Sequence, residues 1–148
     1  MNDEGSSNNI NSISFTGTRQ GMTEEQKASL KALLRAHKPT IFVHGDCVGA
    51  DEEAHQVALE CGIEKIHKRP ADVDSTKRAF TKEGEVIAEA KDPLDRNRDI
   101  VNDSDLLIAT PSKEFEELRS GTWATIRFAK RQNKHVTIIW PDGGVLGT

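Results

Sequence analysis

A chain of 148 residues carrying 24 acidic and 20 basic side chains has enough sequence for one α/β domain, and its net charge of -4 excludes a general nucleic-acid surface, which needs a basic patch or stripe. No run approaches the roughly 18 apolar residues of a membrane span, and the polar opening stretch lacks the apolar core of a signal peptide, so the expected location is the cytoplasm, away from membranes. The two cysteines, Cys47 and Cys61, make no disulfide framework and are expected as thiols.

Residues 1–11 are rich in Asn, Ser, Gly and acid and are expected as a disordered tail, with a single domain over 12–148. Short apolar or β-branched runs at Ser12 to Thr16, Thr40 to His44, Lys65 to Lys68, Leu106 to Ala109 and Val136 to Trp140 predict five buried parallel strands. Helical patterns lie between them. Thr23 with Gln26 makes a capping box ahead of Leu30, Leu33, Leu34 and His37. Ala54, Val57, Ala58 and Cys61 repeat the helical spacing, and Gly62 ends it. Phe80 to Ala90 is a candidate helix in an irregular stretch, Leu94 to Asn102 is another, and Thr122, Ile126 and Ala129 give the last helix its inner face.

The alternation predicts a Rossmann-like, doubly wound parallel sheet of about five strands in the order 3-2-1-4-5. Strands one and four would then be neighbours whose connections leave in opposite directions, opening a crevice at their carboxyl ends. Three small-residue loops would ring that crevice: Gly17-Thr18-Arg19, the run from Gly45 through Asp46, Gly49 and Ala50 to Asp51, and Arg119-Ser120-Gly121-Thr122. Loops of this kind before a helix let backbone N–H groups meet an anion, and the helix dipole favours the negative charge.

Arg19 has the guanidinium geometry to clamp a phosphate with two hydrogen bonds, and Thr18 adds a hydroxyl; the competing role for Arg19 is anchoring its own loop. Gly45, Gly49 and Ala50 allow close approach in the second loop. Asp51 stands where a helix N-cap is expected, whereas Asp46 is open between accepting from ribose hydroxyls and bonding within its turn. Ser120, Gly121 and Thr122 start a helix with donors to spare, and Arg119 precedes them. Trp123 is expected in the core, with stacking on a base or sealing an oligomer interface as the competing roles. His44, Cys47, His55 and Cys61 lack the paired Cys spacing of a zinc site, so no metal is expected, and no cofactor.

In this order the motifs Phe15-Thr16-Gly17-Thr18-Arg19, His44-Gly45-Asp46 with Gly49-Ala50-Asp51, Pro70-Ala71-Asp72, Arg96-Asn97-Arg98-Asp99-Ile100-Val101, Asp105-Leu106-Leu107-Ile108-Ala109 and Ser120-Gly121-Thr122 resemble the SLOG superfamily of Rossmann-like nucleotide-binding proteins, and within it the YspA/YpsA-related branch. The resemblance runs from about Ser12 to Pro141. It implies self-association and binding of nucleotides or ADP-ribose-type molecules, as in sensor domains of bacterial antiphage systems. It also moves Arg96 and Asn97 toward ligand contact; on their own they read as a charge cluster with Asp92, Asp95 or Asp99. The enzymatic relatives, LOG phosphoribohydrolases, carry Glu three residues after the Gly-Thr pair, where this chain has Thr125. A threonine hydroxyl cannot replace that carboxylate, so the expected function is a binding module that senses or sequesters a nucleotide signal, with an N-glycosidic hydrolase using Asp46 or Glu116 as the alternative.

Overall fold

In the computed structural model, which describes residues 10–147, seven strands form one sheet in the order β4-β3-β2-β1-β5-β6-β7. They are β1 (Ser12–Gly17), β2 (Ile41–His44), β3 (Lys65–Lys68), β4 (Glu85–Val86), β5 (Leu106–Thr110), β6 (His135–Ile139) and β7 (Val145–Gly147). The four helices are α1 (Glu24–His37), α2 (Ala50–Glu60), α3 (Pro93–Asn102) and α4 (Gly121–Arg131). The five expected strands are present in the expected order, and the sheet is larger by two edge strands. β4 has only two residues and the three-residue β7 pairs antiparallel, so neither has a run long enough to show periodicity.

Alternation along the strands sends side chains to two separate cores. Ile13, Phe15, Leu106, Ile108 and Ile139 pack with Leu30 and Leu34 of α1 and Ala54, Val57 and Ala58 of α2. On the other face Leu107, Ala109, Val136 and Ile138 pack with Val101 of α3 and Trp123, Ile126 and Ala129 of α4. Trp123 is 4% exposed and its ring lies 5.8 Å from that of Trp140, which places it in the core.

The capping box at α1 forms as read: Thr23 Oγ1 accepts from Gln26 N–H and Gln26 Oε1 accepts from Thr23 N–H, both at 3.0 Å. Gln26 does more than cap. Its buried amide donates to the carbonyls of Pro111 and Ile139, both at 2.9 Å, fastening α1 to the ends of β5 and β6. Of the tail expected over 1–11, residues 1–9 lie outside the described residues; Ile10 packs against the core, and Asn11 N–H donates to Asp105 at 2.9 Å. The helix expected from Phe80 to Ala90 is instead an irregular segment with the short β4 in its middle, and Phe80 holds a φ of +52°.

Candidate functional site

Parallel β1 and β5 are neighbours, β1 leads to the side of β2 and β5 to the side of β6, and a cavity of about 400 Å³ opens at their carboxyl ends. Gly17, Thr18 and Arg19 form one wall. Arg96 and Asn97 of α3 form another, and Ser120, Gly121 and Thr122 at the start of α4 a third. Ser112 and Glu117 of the β5–α4 connection and Cys47 and Asp51 of the second loop complete it. Pro93 adds apolar surface, backed by the buried Phe15 and Ile100.

The α4 end supplies open donors. Ser120 caps the helix, its Oγ accepting from Trp123 N–H at 3.2 Å, while the N–H groups of Gly121 and Thr122 have no partner among the described residues. A Cβ built on Gly121 would meet no atom within 4 Å, so this glycine faces free space. Arg19 is exposed and has no ion-pair partner among the described residues. Arg119, expected beside them, is exposed and does not line the cavity.

The second loop differs from its sequence reading. Gly45, Asp46, Gly49 and Ala50 do not line the cavity. Gly49 takes a φ of +90° and a side chain there would collide with the Arg19 backbone; at Gly45 it would collide with the Arg96 guanidinium. Gly17, although it lines the wall, is likewise fixed by packing, with Ala50 Cβ and Thr110 Oγ1 each 2.5 Å from where its Cβ would lie. The Ala50 N–H is already taken by the Thr18 carbonyl at 2.9 Å.

Asp46 turns away from the cavity. It is fully buried with a φ of +56°, and its carboxylate accepts from Thr81 Oγ1 (2.6 Å), Thr81 N–H (3.0 Å) and Arg78 Nε (3.0 Å), clasping the irregular segment after β3. Burial alone would raise its pKa, but these bonds outweigh that and hold it below the ordinary carboxylate value. Asp46 N–H also donates to His44 Nδ1 at 2.9 Å. That fixes neutral His44 with its proton on Nε2, donating to His55 Nδ1 at 2.9 Å, and leaves His55 Nε2 to donate to Glu83 at 3.0 Å. His44 and His55 therefore serve a buried hydrogen-bond chain, and no group of three or more metal-ligating side chains occurs among the described residues.

Asp51 is the cavity residue that the sequence reading placed elsewhere. The N-cap of α2 is Gly49, and Asp51, in the first turn, reaches back to accept from Cys47 N–H at 3.2 Å. Burial raises its pKa to about 6, against the opposing pull of Arg96 and backbone donors. Burial, followed by the Asp51 charge, pushes the Cys47 thiol upward. Arg96 is not in a solvated charge cluster: its Nη1 donates to the carbonyls of Gly45 (3.0 Å) and Arg69 (3.2 Å), and its Nε to Asn97 Oδ1 (2.9 Å). It straps the second loop to α3 and lines the cavity.

Neither carboxylate considered for a displaced catalytic role faces the cavity, since Asp46 is clasped to Thr81 and Glu116 pairs with Arg127 at 2.6 Å. Thr125 is buried and donates to the Gly121 carbonyl at 2.9 Å. No helix among the described residues is long and apolar enough to cross a membrane.

No protein-family model and no curated protein matches the chain. Solved structures do. The molybdenum cofactor binding protein from Rippkaea orientalis superposes with a TM-score of 0.66 at 18% identity, covering 87% of this chain and 76% of that one. DNA processing protein A (DprA) from Streptococcus pneumoniae gives 0.62 at 18% identity over 88% of this chain, which spans only 50% of that protein. At this identity both likenesses carry the Rossmann-like α/β fold alone.

Proposed function

We propose that the cavity binds a nucleotide or ADP-ribose-type ligand, as a non-catalytic module of the YspA/YpsA-related branch that senses or sequesters a nucleotide signal, such as those of antiphage defence. The observation that carries this reading is the pairing of Arg19, which has no ion-pair partner among the described residues, with the N-terminus of α4 across one cavity. A phosphate there accepts from Gly121 and Thr122 N–H and from Ser120, gains the helix dipole, and receives charge-assisted bonds from Arg19. Apolar Pro93 offers a surface for a base.

The occupied carboxylates of Asp46 and Glu116, and Thr125 in place of the LOG-type Glu, support binding over N-glycosidic cleavage. Self-association belongs to the same reading. Its apolar candidates are Phe115 and Leu118, 63% and 86% exposed in the connection that leads to the cavity wall, since Trp123 is buried.

Calorimetric titration of the full chain with AMP, ADP, ADP-ribose and cyclic ADP-ribose tests the assignment. Saturable binding of at least one, with the ligand recovered intact after denaturation, is the expected result. Absence of binding to all four by folded protein, or repeated release of free base, overturns it.

A further inference from the structure

The cavity is electrically two-sided. Around Arg19 and the start of α4 it offers donors and positive charge, whereas Asp51 presents an acceptor with a negative charge. Asp51 is 7% exposed, and among the described residues no Lys, Arg or His nitrogen lies within ion-pair distance of it. The nearby Arg96 spends its Nη1 and Nε donors on Gly45, Arg69 and Asn97. A buried carboxylate with no ion pair among the described residues is costly for the empty protein; the Cys47 N–H and the nearby Arg96 charge offset only part of that cost, and the N-cap position of α2 belongs to Gly49.

Resting on the reading of the cavity as a nucleotide site, we infer that Asp51 is the specificity residue that reads a pair of neighbouring hydrogen-bond donors on the ligand. An anion cannot fill this position, because its charge would meet that of the carboxylate. The ligand therefore turns its phosphate toward Arg19 and α4 and presents donors to Asp51. A nucleotide has two such pairs, the 2′,3′-diol of ribose and the N1–H and amino group of guanine. Either meets a carboxylate with two hydrogen bonds, and a site built on such bonds rejects an analogue lacking the donors more strongly than a purely apolar wall does. Asp51 is held for this task by the Cys47 N–H, which keeps its carboxylate from rotating freely. Burial also raises its proton affinity, a penalty that donor groups on a ligand relieve by favouring the ionised form.

The test is a calorimetric comparison of AMP, 2′-deoxy-AMP, GMP, 2′-deoxy-GMP and inorganic phosphate on the full chain and on Asp51→Asn, with folding of the variant checked by circular dichroism. The expected result is a tenfold or greater preference of the unaltered chain, for ribose over deoxyribose if the diol is read or for guanine over adenine if the base edge is read. In Asp51→Asn that preference shrinks to within about threefold, while any binding of inorganic phosphate stays unchanged. Equal affinity of the unaltered chain for all four nucleotides, or a preference that survives in Asp51→Asn, overturns the assignment of Asp51 and leaves the nucleotide site standing. Failure of every nucleotide to bind overturns the nucleotide site itself, and Asp51 with it.

Discussion

Helices α2 and α4 both begin at the carboxyl end of the sheet after a strand and a loop of small residues, yet Gly121 and Thr122 at the start of α4 line the cavity whereas Gly49 and Ala50 at the start of α2 do not. At α2 the protein supplies its own acceptors: the Thr18 carbonyl takes Ala50 N–H, Glu52 takes Gly49 N–H at 3.4 Å, and Asp51 takes Cys47 N–H. At α4 the hydroxyl of Ser120 takes Trp123 N–H, and the N–H groups of Gly121 and Thr122, both cavity-lining residues, have no partner among the described residues. Glycine and a following helix are thus necessary for an anion cradle without being sufficient. What decides is whether the chain itself fills the space beside the glycine, as the Arg19 backbone does at Gly49, or leaves it free, as at Gly121.

The closed region should dominate stability, and acid should reveal it first. Burial, reinforced by His55, lowers the His44 pKa from 6.5 to about 3. Below pH 6.5 the unfolded chain takes up a proton that the folded chain refuses until about pH 3. Stability present above 6.5 is therefore lost as pH falls through that window, on the order of 5 kcal/mol in all. Asp51 opposes this: its pKa is raised from 3.8 to about 6, so the stability it contributes is present below 3.8 and lost as pH rises through 6, on the order of 3 kcal/mol. The larger His44 effect sets the direction. Urea unfolding from pH 8 to pH 4 should show a net loss on acidification that becomes steeper in Asp51→Asn, and identical slopes in the two proteins would break the assignment.

The next largest effect is the Asp46 clasp. Asp46→Ala strands Arg78 Nε, Thr81 N–H and Thr81 Oγ1, and should cost about 3 kcal/mol of unfolding free energy. Ligand affinity of the folded variant should change little, because the side chain points away from the cavity. A variant of ordinary stability that no longer binds would reverse the comparison between the two loops.

How far this was readable in the sequence follows from the range of the interactions. The α1 cap lies within four residues, and the central strands announce themselves by composition, so both were legible. The donors at Ser120 to Thr122 were legible for the same local reason. Asp46 was not, because its partners are Arg78 and Thr81, more than thirty residues away in an irregular segment. The second-loop glycines misled for a different cause. A glycine that makes room for Arg96 or for the Arg19 backbone looks, in one dimension, like a glycine that makes room for a ligand. Asp51 was placed at the cap because the chain pattern does not reveal that Gly49, at a φ of +90°, turns the backbone two residues earlier.

On the open side the effects move from stability to affinity. Arg19→Ala should weaken binding of a nucleotide by about 1.5 to 3 kcal/mol, the range for losing a hydrogen bond to a charged group. The melting temperature should be nearly unchanged, since the side chain is exposed and holds no ion pair among the described residues. Calorimetry and a thermal melt on the same sample separate the two quantities. A melting temperature that falls while affinity holds would make Arg19 the anchor of its own loop.

The sharpest contrast comes from one methyl group placed at each helix start. In Gly49→Ala the added Cβ lies 2.2 Å from the Arg19 carbonyl oxygen on a backbone at a φ of +90°, so the loop has to shift and the protein should lose about 2 kcal/mol. In Gly121→Ala the Cβ meets no protein atom within 4 Å, and helix propensity favours alanine, so stability should stay within about 0.5 kcal/mol of the parent. That same methyl occupies space through which a phosphate approaches the first amides of α4. Affinity should therefore fall in Gly121→Ala at unchanged stability. Equal affinities in the parent and Gly121→Ala would mean that the ligand does not lie against α4, and the open donors would then have to be assigned to solvent.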